Sequence, residues 1–387
     1  MIIAITVLWL LFGSIAFGPA AFIFLYIKRN SKKSWPIKID NHFQPRISIL
    51  VPTFNESRIM LLKLINLSRL KYPKELLDII VVDSDSSDNT AKIAEQFSDE
   101  NPELNLKILV EKERKGKSHA LNSALNQCEG EVIVISDADC FWPSDILEKA
   151  VPYLADPTVG SIGGPKLLLN SKQTWITKLE DKYLRSSSHL RLGESKTGST
   201  VFFEGGFSAF KKVAFGKFDA YETGSDDMGT AISIIENDFR AMHIPEAFFY
   251  SSFPTTLQNK LIIKLRRANQ LLRVFIKYAD LLLKRKIRKT KETIFPNIFL
   301  FLFSPIAFSV FFGLSIFLVI KFPIILLTLV FLAVPIVRFY SYEILESNLL
   351  LCAAMCGILA GKNFSVWSQP EDRASLTEEK LSRLNLL

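Results

Sequence analysis

The sequence predicts a mainly parallel α/β domain flanked by membrane-spanning helices. Three observations predict it. Both ends carry long apolar runs, the middle alternates short β-branched runs with helix-like stretches, and acidic clusters follow three of those runs. Of the 387 residues 49% are hydrophobic and 22% charged. That excludes a disordered tail protein, a collagen-like chain and a small disulfide scaffold. Cys128, Cys140, Cys352 and Cys356 are too few and too unevenly spaced for a disulfide framework or a zinc ribbon, and read as reduced packing residues.

The ends come first. Residues 2–27 carry no charge. As a helix they would reach about 39 Å, beyond the roughly 30 Å hydrocarbon core of a bilayer. Lys28, Arg29, Lys32 and Lys33 follow this run, whereas a cleaved signal peptide has its basic residues in front. The positive-inside rule then puts residue 28 onward in the cytoplasm. Apolar runs return at 294–320, 322–340 and 344–361, with Pro305, Pro323 and Pro335 expected to kink or separate them. The last run is weaker, holding Glu346 and Asn348. Two spans would leave the tail cytoplasmic and three would leave it outside.

The resulting division is an N-terminal transmembrane helix (1–27), a cytoplasmic α/β domain (28–256), a basic amphipathic interfacial helix (257–293), two or three C-terminal transmembrane helices (294–361) and a polar tail (362–387). Charge supports it. Residues 257–293 hold twelve Lys/Arg against Asp280 and Glu292, a net +10, and residues 28–46 hold six against Asp40, a net +5. With the whole chain at +8, the remainder is −7. Two basic collars beside apolar segments suit an anionic membrane surface. A nucleic-acid partner, which would favour charge spread over a folded face, is not expected. Leu261, Leu265, Ala268, Leu272, Phe275 and Ala279 form an apolar stripe at helical spacing, suited to lying in the membrane interface.

In the middle, β-branched runs at 46–51, 78–82, 106–110 and 132–136 alternate with helical stretches at about 57–69, 89–98 and 117–127. Such alternation predicts a parallel sheet with helices on both faces. Ligands of such sheets bind beyond the carboxyl ends of the strands. The first run leads into Pro52–Ser57, the second into Asp83–Asp88 and the fourth into Asp137-Ala138-Asp139. Asp88 suits a helix cap. Asp137 and Asp139, one residue apart after a buried strand, can share a hard divalent cation such as Mg²⁺ or Mn²⁺. Lys115-Gly116-Lys117-Ser118 fails as a P-loop, because position 111 is Glu rather than Gly. It reads instead as the opening of a helix whose start, near Lys117, favours an anion. Gly206–Phe210 lacks the last Gly of a nucleophile elbow. The four His show no metal spacing.

The ordered set VPTFNE (51–56), VVDSDSSDNT (81–90), GKSHALN (116–122), ISDAD (135–139), EGGFSAF (204–210), SDD (225–227) and QLLR (270–273) resembles the motifs of family 2 glycosyltransferases. The resemblance covers about residues 46–275. It implies a GT-A fold and inverting transfer from a nucleotide-sugar, with a UDP-sugar the commonest donor. It places Pro52, Thr53, Glu56, Asp83, Asp85, Lys117 and Asp137 at the nucleotide-sugar. Asp137 and Asp139 would hold the metal, and Asp227 would be the catalytic base. Gln270, Arg273, Arg266 and Asp226 would meet the acceptor or the diphosphate. Gln270 and Arg273 share a helix face with Arg266. The acceptor would be a lipid-linked or glycan molecule reached from the cell membrane, with membrane lipid as a further partner; no protein partner is indicated.

The chain departs from the family twice. Ser84 follows Asp83 where a second Asp is usual, and Val274 stands where processive members carry Trp. The second departure favours limited transfer over the alternative, a processive polysaccharide synthase. A non-catalytic scaffold would be expected to lack Asp137, Asp139 or Asp227. A nucleotidyltransferase would also use carboxylate-bound metal but release pyrophosphate. The segment 361–367 (GKNFSVW) weakly resembles the ends of related membrane enzymes.

Overall fold

The computed structural model describes residues 2–287, 291–322, 335–362 and 377–387. The four expected strands form: β1 (Ile47–Thr53), β2 (Leu77–Asp83), β3 (Asn105–Val110) and β4 (Val132–Ile135). They are joined by α2 (Ser57–Ser68), α3 (Thr90–Glu100) and α4 (Lys117–Leu125), which follow α1 (Ile2–Asn30). After α5 (Ile146–Ala150) come β5 (Val159–Gly163), β6 (Lys166–Leu168) and α6 (Trp175–Thr197). Then follow β7 (Ser208–Lys211), α7 (Asp226–Glu236), β8 (Arg240–His243) and β9 (Phe249–Ser251). The sheet order is β3-β2-β1-β4-β7-β5-β8, with β6 and β9 paired beside it. Only β7 runs antiparallel to its neighbours in the seven-stranded sheet, so the expectation of a mainly parallel sheet holds.

Strand periodicity sorts the core onto two faces. Ile47, Ile49 and Val51 point toward α2 and α3, where they meet Met60, Leu64 and Ala94. Leu50, Ile80, Val82, Ile133 and Ile135 point the other way, toward Leu121, Ile232 and Phe275. The parallel register Thr53↔Asp83 aligns the carboxyl ends of β1 and β2, and Leu50↔Ile135 sets β4 beside them. The reversal of β7 brings its amino end, Ser208, opposite Ile135. Glu204–Gly206 therefore enter at the same edge as Asp137.

Three helical segments among the described residues are long and apolar enough to cross a membrane: Ile2–Asn30, Thr293–Lys321 and Arg338–Leu359. The second joins α9 (Lys291–Ile298) to α10 (Ser304–Lys321) through a π-helical turn at Phe299–Phe303. That turn accommodates Pro305, which lacks an N–H to donate and sits in the first turn of α10. α1 packs along α10, with the Trp9 and Phe311 rings 5.1 Å apart and Trp9 Nε1 donating to Ser315 Oγ at 2.8 Å. The expected span at 322–340 lies mostly outside the described residues. Its end and the weak third run share one helix, α11 (Pro335–Leu359). Of 361–367, only Gly361 and Lys362 are described.

α8 (Leu257–Leu283) buries Ala268, Leu272 and Phe275 of the expected stripe, whereas Leu261 is 37% exposed. Two of its lysines turn to carboxylates. Lys260 Nζ lies 2.7 Å from Glu346 Oε1. Lys264 Nζ lies 2.7 Å from Glu346, 3.5 Å from Glu180 and 3.6 Å from Glu343. A buried ammonium must be paired, and α6 and α11 supply the partners. α12 (Glu378–Arg383) then returns to the domain, burying Leu381 and Leu386 among Leu67, Leu70 and Trp142.

Candidate active site

A cleft of about 730 Å³ opens along the carboxyl edge of the sheet. Pro52, Thr53 and Glu56 line it from the end of β1, Lys117 from α4, Asp137 and Asp139 from the turn after β4, Asp226 and Asp227 from α7, and Arg266 and Gln270 from α8. Asp83, Asp85 and Arg273 are not in its wall. Asp83 is buried behind Thr53, and its Oδ1 accepts from Ser86 N at 2.9 Å. Asp85 is exposed, at φ 60° in the following turn. Arg273 donates to Asn269 Oδ1 at 3.1 Å and to the Lys362 carbonyl at 2.8 Å, on the side facing α11.

The loops lining the nucleotide side are tied together. Asn55, at φ 55°, donates its N–H to Ser86 Oγ at 2.9 Å and accepts from Ser87 N at 2.8 Å. Asp88 accepts from Thr90 N at 3.0 Å and from Ser57 N at 3.1 Å, so one carboxylate serves the first turns of two helices. Those bonds outweigh its burial and hold its carboxyl below the usual value. The guanidinium of Arg114 covers the Phe54 ring at 3.6 Å.

Lys117 is the centre of the acidic cluster. Its ammonium lies 2.7 Å from Asp137 Oδ1 and 2.9 Å from Asp226 Oδ2. Burial works against its charge, but Asp137, Asp226 and Asp227 outweigh that and raise its pKa. Gly205 makes the approach possible, since a Cβ there would sit 2.4 Å from Lys117 Nζ and 2.9 Å from Asp137 Oδ2. Asp137, Asp139 and Cys140 offer ligand atoms within 4.8 Å of one another. Two hard carboxylates facing an open cleft fit Mg²⁺ or Mn²⁺. The Cys140 thiol is pushed well up, chiefly by burial, and is a poor third ligand.

Asp227 sits in the first turn of α7. Ser225 Oγ donates to its Oδ1 at 2.6 Å and Met228 N at 2.7 Å. Burial and the neighbouring Asp226 raise its pKa to about 6, against the pull of Lys117 and those two donors. Its loop is set by Asp219, which accepts from Thr223 N and Gly224 N at 2.9 and 2.8 Å. Gln270 Nε2 donates to the Gly224 carbonyl, so α8 braces the same loop.

Several residues of the site were not singled out from the sequence. Arg191 of α6 pairs with Glu204 at 2.8 Å and lines the cleft. Against its own burial, Glu204 is held below the usual carboxylate range by Arg191, Arg267 and Lys166. Lys63 and Asn66 of α2 are buried behind the Asp137–Asp139 turn. Burial pulls Lys63 down to about 8, with Cys140, Asp137 and Asp139 opposing. Their signal in the sequence is two polar residues three apart, between Met60 and Leu67, on the face that α2 buries.

Residues 48–218 match the family described as "Glycosyl transferase family 2". An N-acetylglucosaminyltransferase of Rhizobium meliloti is 28% identical over 242 residues, 59% of this chain and 56% of that protein. A beta-monoglucosyldiacylglycerol synthase of Synechocystis is 26% identical over 192 residues, 49% of this chain and 40% of that protein. The chain thus spans about half the length of the curated relatives it matches. A solved mannosyltransferase from Pyrobaculum calidifontis, in complex with GDP-Man and Mn²⁺, is 29% identical with a TM-score of 0.79, over 93% of this chain and all of that one. Residues 48–218 thus match the model of glycosyl transferase family 2, and the chain has the mainly parallel GT-A-like α/β fold that it shares with that mannosyltransferase.

Proposed function

We propose that the protein is a membrane-bound inverting transferase that moves a sugar from a nucleotide-sugar to a lipid-linked or glycan acceptor at the cytoplasmic membrane face. One observation carries this reading. The cleft that holds Asp137, Asp139 and Asp227 also reaches Phe301, Ser347, Leu350 and Leu351, which lie on two of the helices long enough to span a membrane. A membrane-borne acceptor would meet the catalytic carboxylates without leaving the bilayer.

The chemistry is a displacement at the anomeric carbon. Asp227 takes the proton of the acceptor hydroxyl as its oxygen bonds to that carbon. The bond to the diphosphate breaks on the opposite face and the nucleoside diphosphate leaves. Both protein bonds to Asp227 fall on Oδ1, which leaves Oδ2 for the acceptor. Asp137 and Asp139 would hold a divalent cation, which when bound supplies positive charge at the diphosphate. Lys117 adds a second positive charge within reach of the same carboxylates. For the donor, the Pyrobaculum relative's GDP-Man and Mn²⁺ stand beside the sequence expectation of a UDP-sugar. The two are separated by assay. Val274, at the position of the processive family's Trp, is fully buried in the core. That supports limited transfer rather than a processive synthase.

The test is transfer of radiolabel from UDP- and GDP-sugars with Mn²⁺ or Mg²⁺, in membranes carrying the wild type or Asp227→Asn. Label in the solvent-soluble lipid fraction, lost in Asp227→Asn while donor binding stays, is the expected result. Label in high polymer would favour the synthase. Turnover by Asp227→Asn near the wild-type rate would sink the base assignment.

A further inference from the structure

The turn that carries Asp137 and Asp139 is gripped from behind by α2. Lys63 is fully buried, and its ammonium donates to Ser136 Oγ at 2.5 Å and to the Cys140 carbonyl at 2.6 Å. These two acceptors bracket the turn, one residue before Asp137 and one after Asp139. The same ammonium lies 4.7 Å from the centre of the Trp142 ring. Asn66, on the same face of α2, accepts from Trp142 N at 2.9 Å and donates to its carbonyl at 2.8 Å. Trp142 Nε1 then reaches across to the Gly206 carbonyl at 2.6 Å.

Burying an ammonium is costly unless it is paired and hydrogen-bonded. A leucine would fill this part of α2 at no such cost. What the ammonium adds is direction. It fixes two backbone-linked acceptors on either side of a three-residue turn whose side chains must converge.

We infer that Lys63 is a positioning residue for the metal turn: it holds Asp137 and Asp139 in the convergent geometry that binds a divalent cation with the donor diphosphate. The inference rests on the proposed metal role of those two carboxylates. Its sign is unusual. By charge alone, an ammonium behind two carboxylates repels an incoming cation, so removing it should tighten binding. By positioning, removing it should weaken binding, and the loss of a group that orients metal ligands typically costs about 10- to 100-fold in affinity. The two effects run in opposite directions, which makes the experiment decisive.

The measurement is Mn²⁺ binding to the full chain in detergent, followed by electron paramagnetic resonance, with UDP and separately with GDP present. Wild type, Asp139→Ala, Lys63→Met and Leu64→Ala are compared, together with their unfolding temperatures. Leu64 is a buried neighbour on α2 that packs in the core, so Leu64→Ala reports on stability loss alone. The expected result is Mn²⁺ affinity about ten-fold or more weaker in Lys63→Met, with Leu64→Ala close to wild type at a similar loss of unfolding temperature. Unchanged or tighter binding in Lys63→Met would overturn the inference while leaving the metal reading intact. Equal binding by wild type and Asp139→Ala would instead overturn the metal reading, and this inference with it. Should Lys63→Met not fold, Ser136→Ala removes one of the two acceptors. It should weaken Mn²⁺ binding in the same direction, and binding equal to wild type would again overturn the inference.

Discussion

Asp227 shows how one carboxylate is tuned between function and stability. Its pKa rises from 3.8 to about 6, chiefly by burial and secondarily by Asp226. Between these values the native state keeps a proton that the unfolded chain has released. Stability therefore falls as pH rises through that window, and the deficit persists at neutral pH. Asp227→Asn should thus be more stable at pH 7, by roughly 1 kcal/mol once solvent at this half-buried site is allowed for. Thermal unfolding at pH 4 and pH 7 checks it, and a gain of equal size at both would point to another cause. With Asp227 as the proposed base, the wild-type transfer rate should fall as pH drops below about 6, where its carboxylate is protonated. Asp137 and Asp139 stood out in the sequence as candidates because they follow directly on a buried strand, whereas Asp227 was singled out through the resemblance carried by the SDD motif. Lys63 was not. A lysine in a helix ordinarily extends its stem and keeps its charge in water, and only tertiary packing shows that this one does not.

At the scale of elements, α6 decides how the domain meets the membrane helices. Gly193 lets it close on the end of α1, since a Cβ there would lie 2.2 Å from Ile27 Cγ2 and 2.3 Å from the Ile27 carbonyl oxygen. The backbone oxygen cannot move aside cheaply. Gly193→Ala should therefore destabilise the protein by about 1–3 kcal/mol despite the better helix propensity of Ala. Gly18→Ala, in a site with nothing within 4 Å, should be neutral or stabilising. Unfolding temperatures in detergent compare the two, and equal shifts would show that α6 and α1 do not touch in solution. The sequence made β1 to β4 visible through continuous apolar runs. β5 to β9 span three to five residues and, unlike the equally short VIVI of β4, hold no run of β-branched residues to mark them. α6 was missed because its polar sequence, WITKLEDKYLRSSSHLRLGESKT, buries only scattered positions.

The whole molecule closes on itself. The number of C-terminal spans was open in the sequence, because Glu346 weakens the last apolar run. The structure pairs Glu346 with Lys260 and Lys264, which explains a carboxylate in that helix. With α12 docked on the domain that precedes the spans, the crossings between them must be even in number. Cysteines introduced by Ser382→Cys and Glu113→Cys should thus react with an impermeant maleimide from the same face of sealed vesicles. Labelling from opposite faces would contradict the docked tail. The contact between Asn66 Nδ2 and the Leu386 carbonyl, 2.8 Å long, joins positions 320 residues apart. At ordinary rates of synthesis, those 320 residues separate the two partners by tens of seconds on the ribosome, on the order of 16–64 s. The turn at Asp137–Asp139 thus gains this contact behind it only after both later helices long enough to cross a membrane have been made. A newborn chain would carry Asp137, Asp139 and Asp227 early and yet lack this clamp behind Trp142, so ripening of the site would wait on the synthesis of those apolar helices.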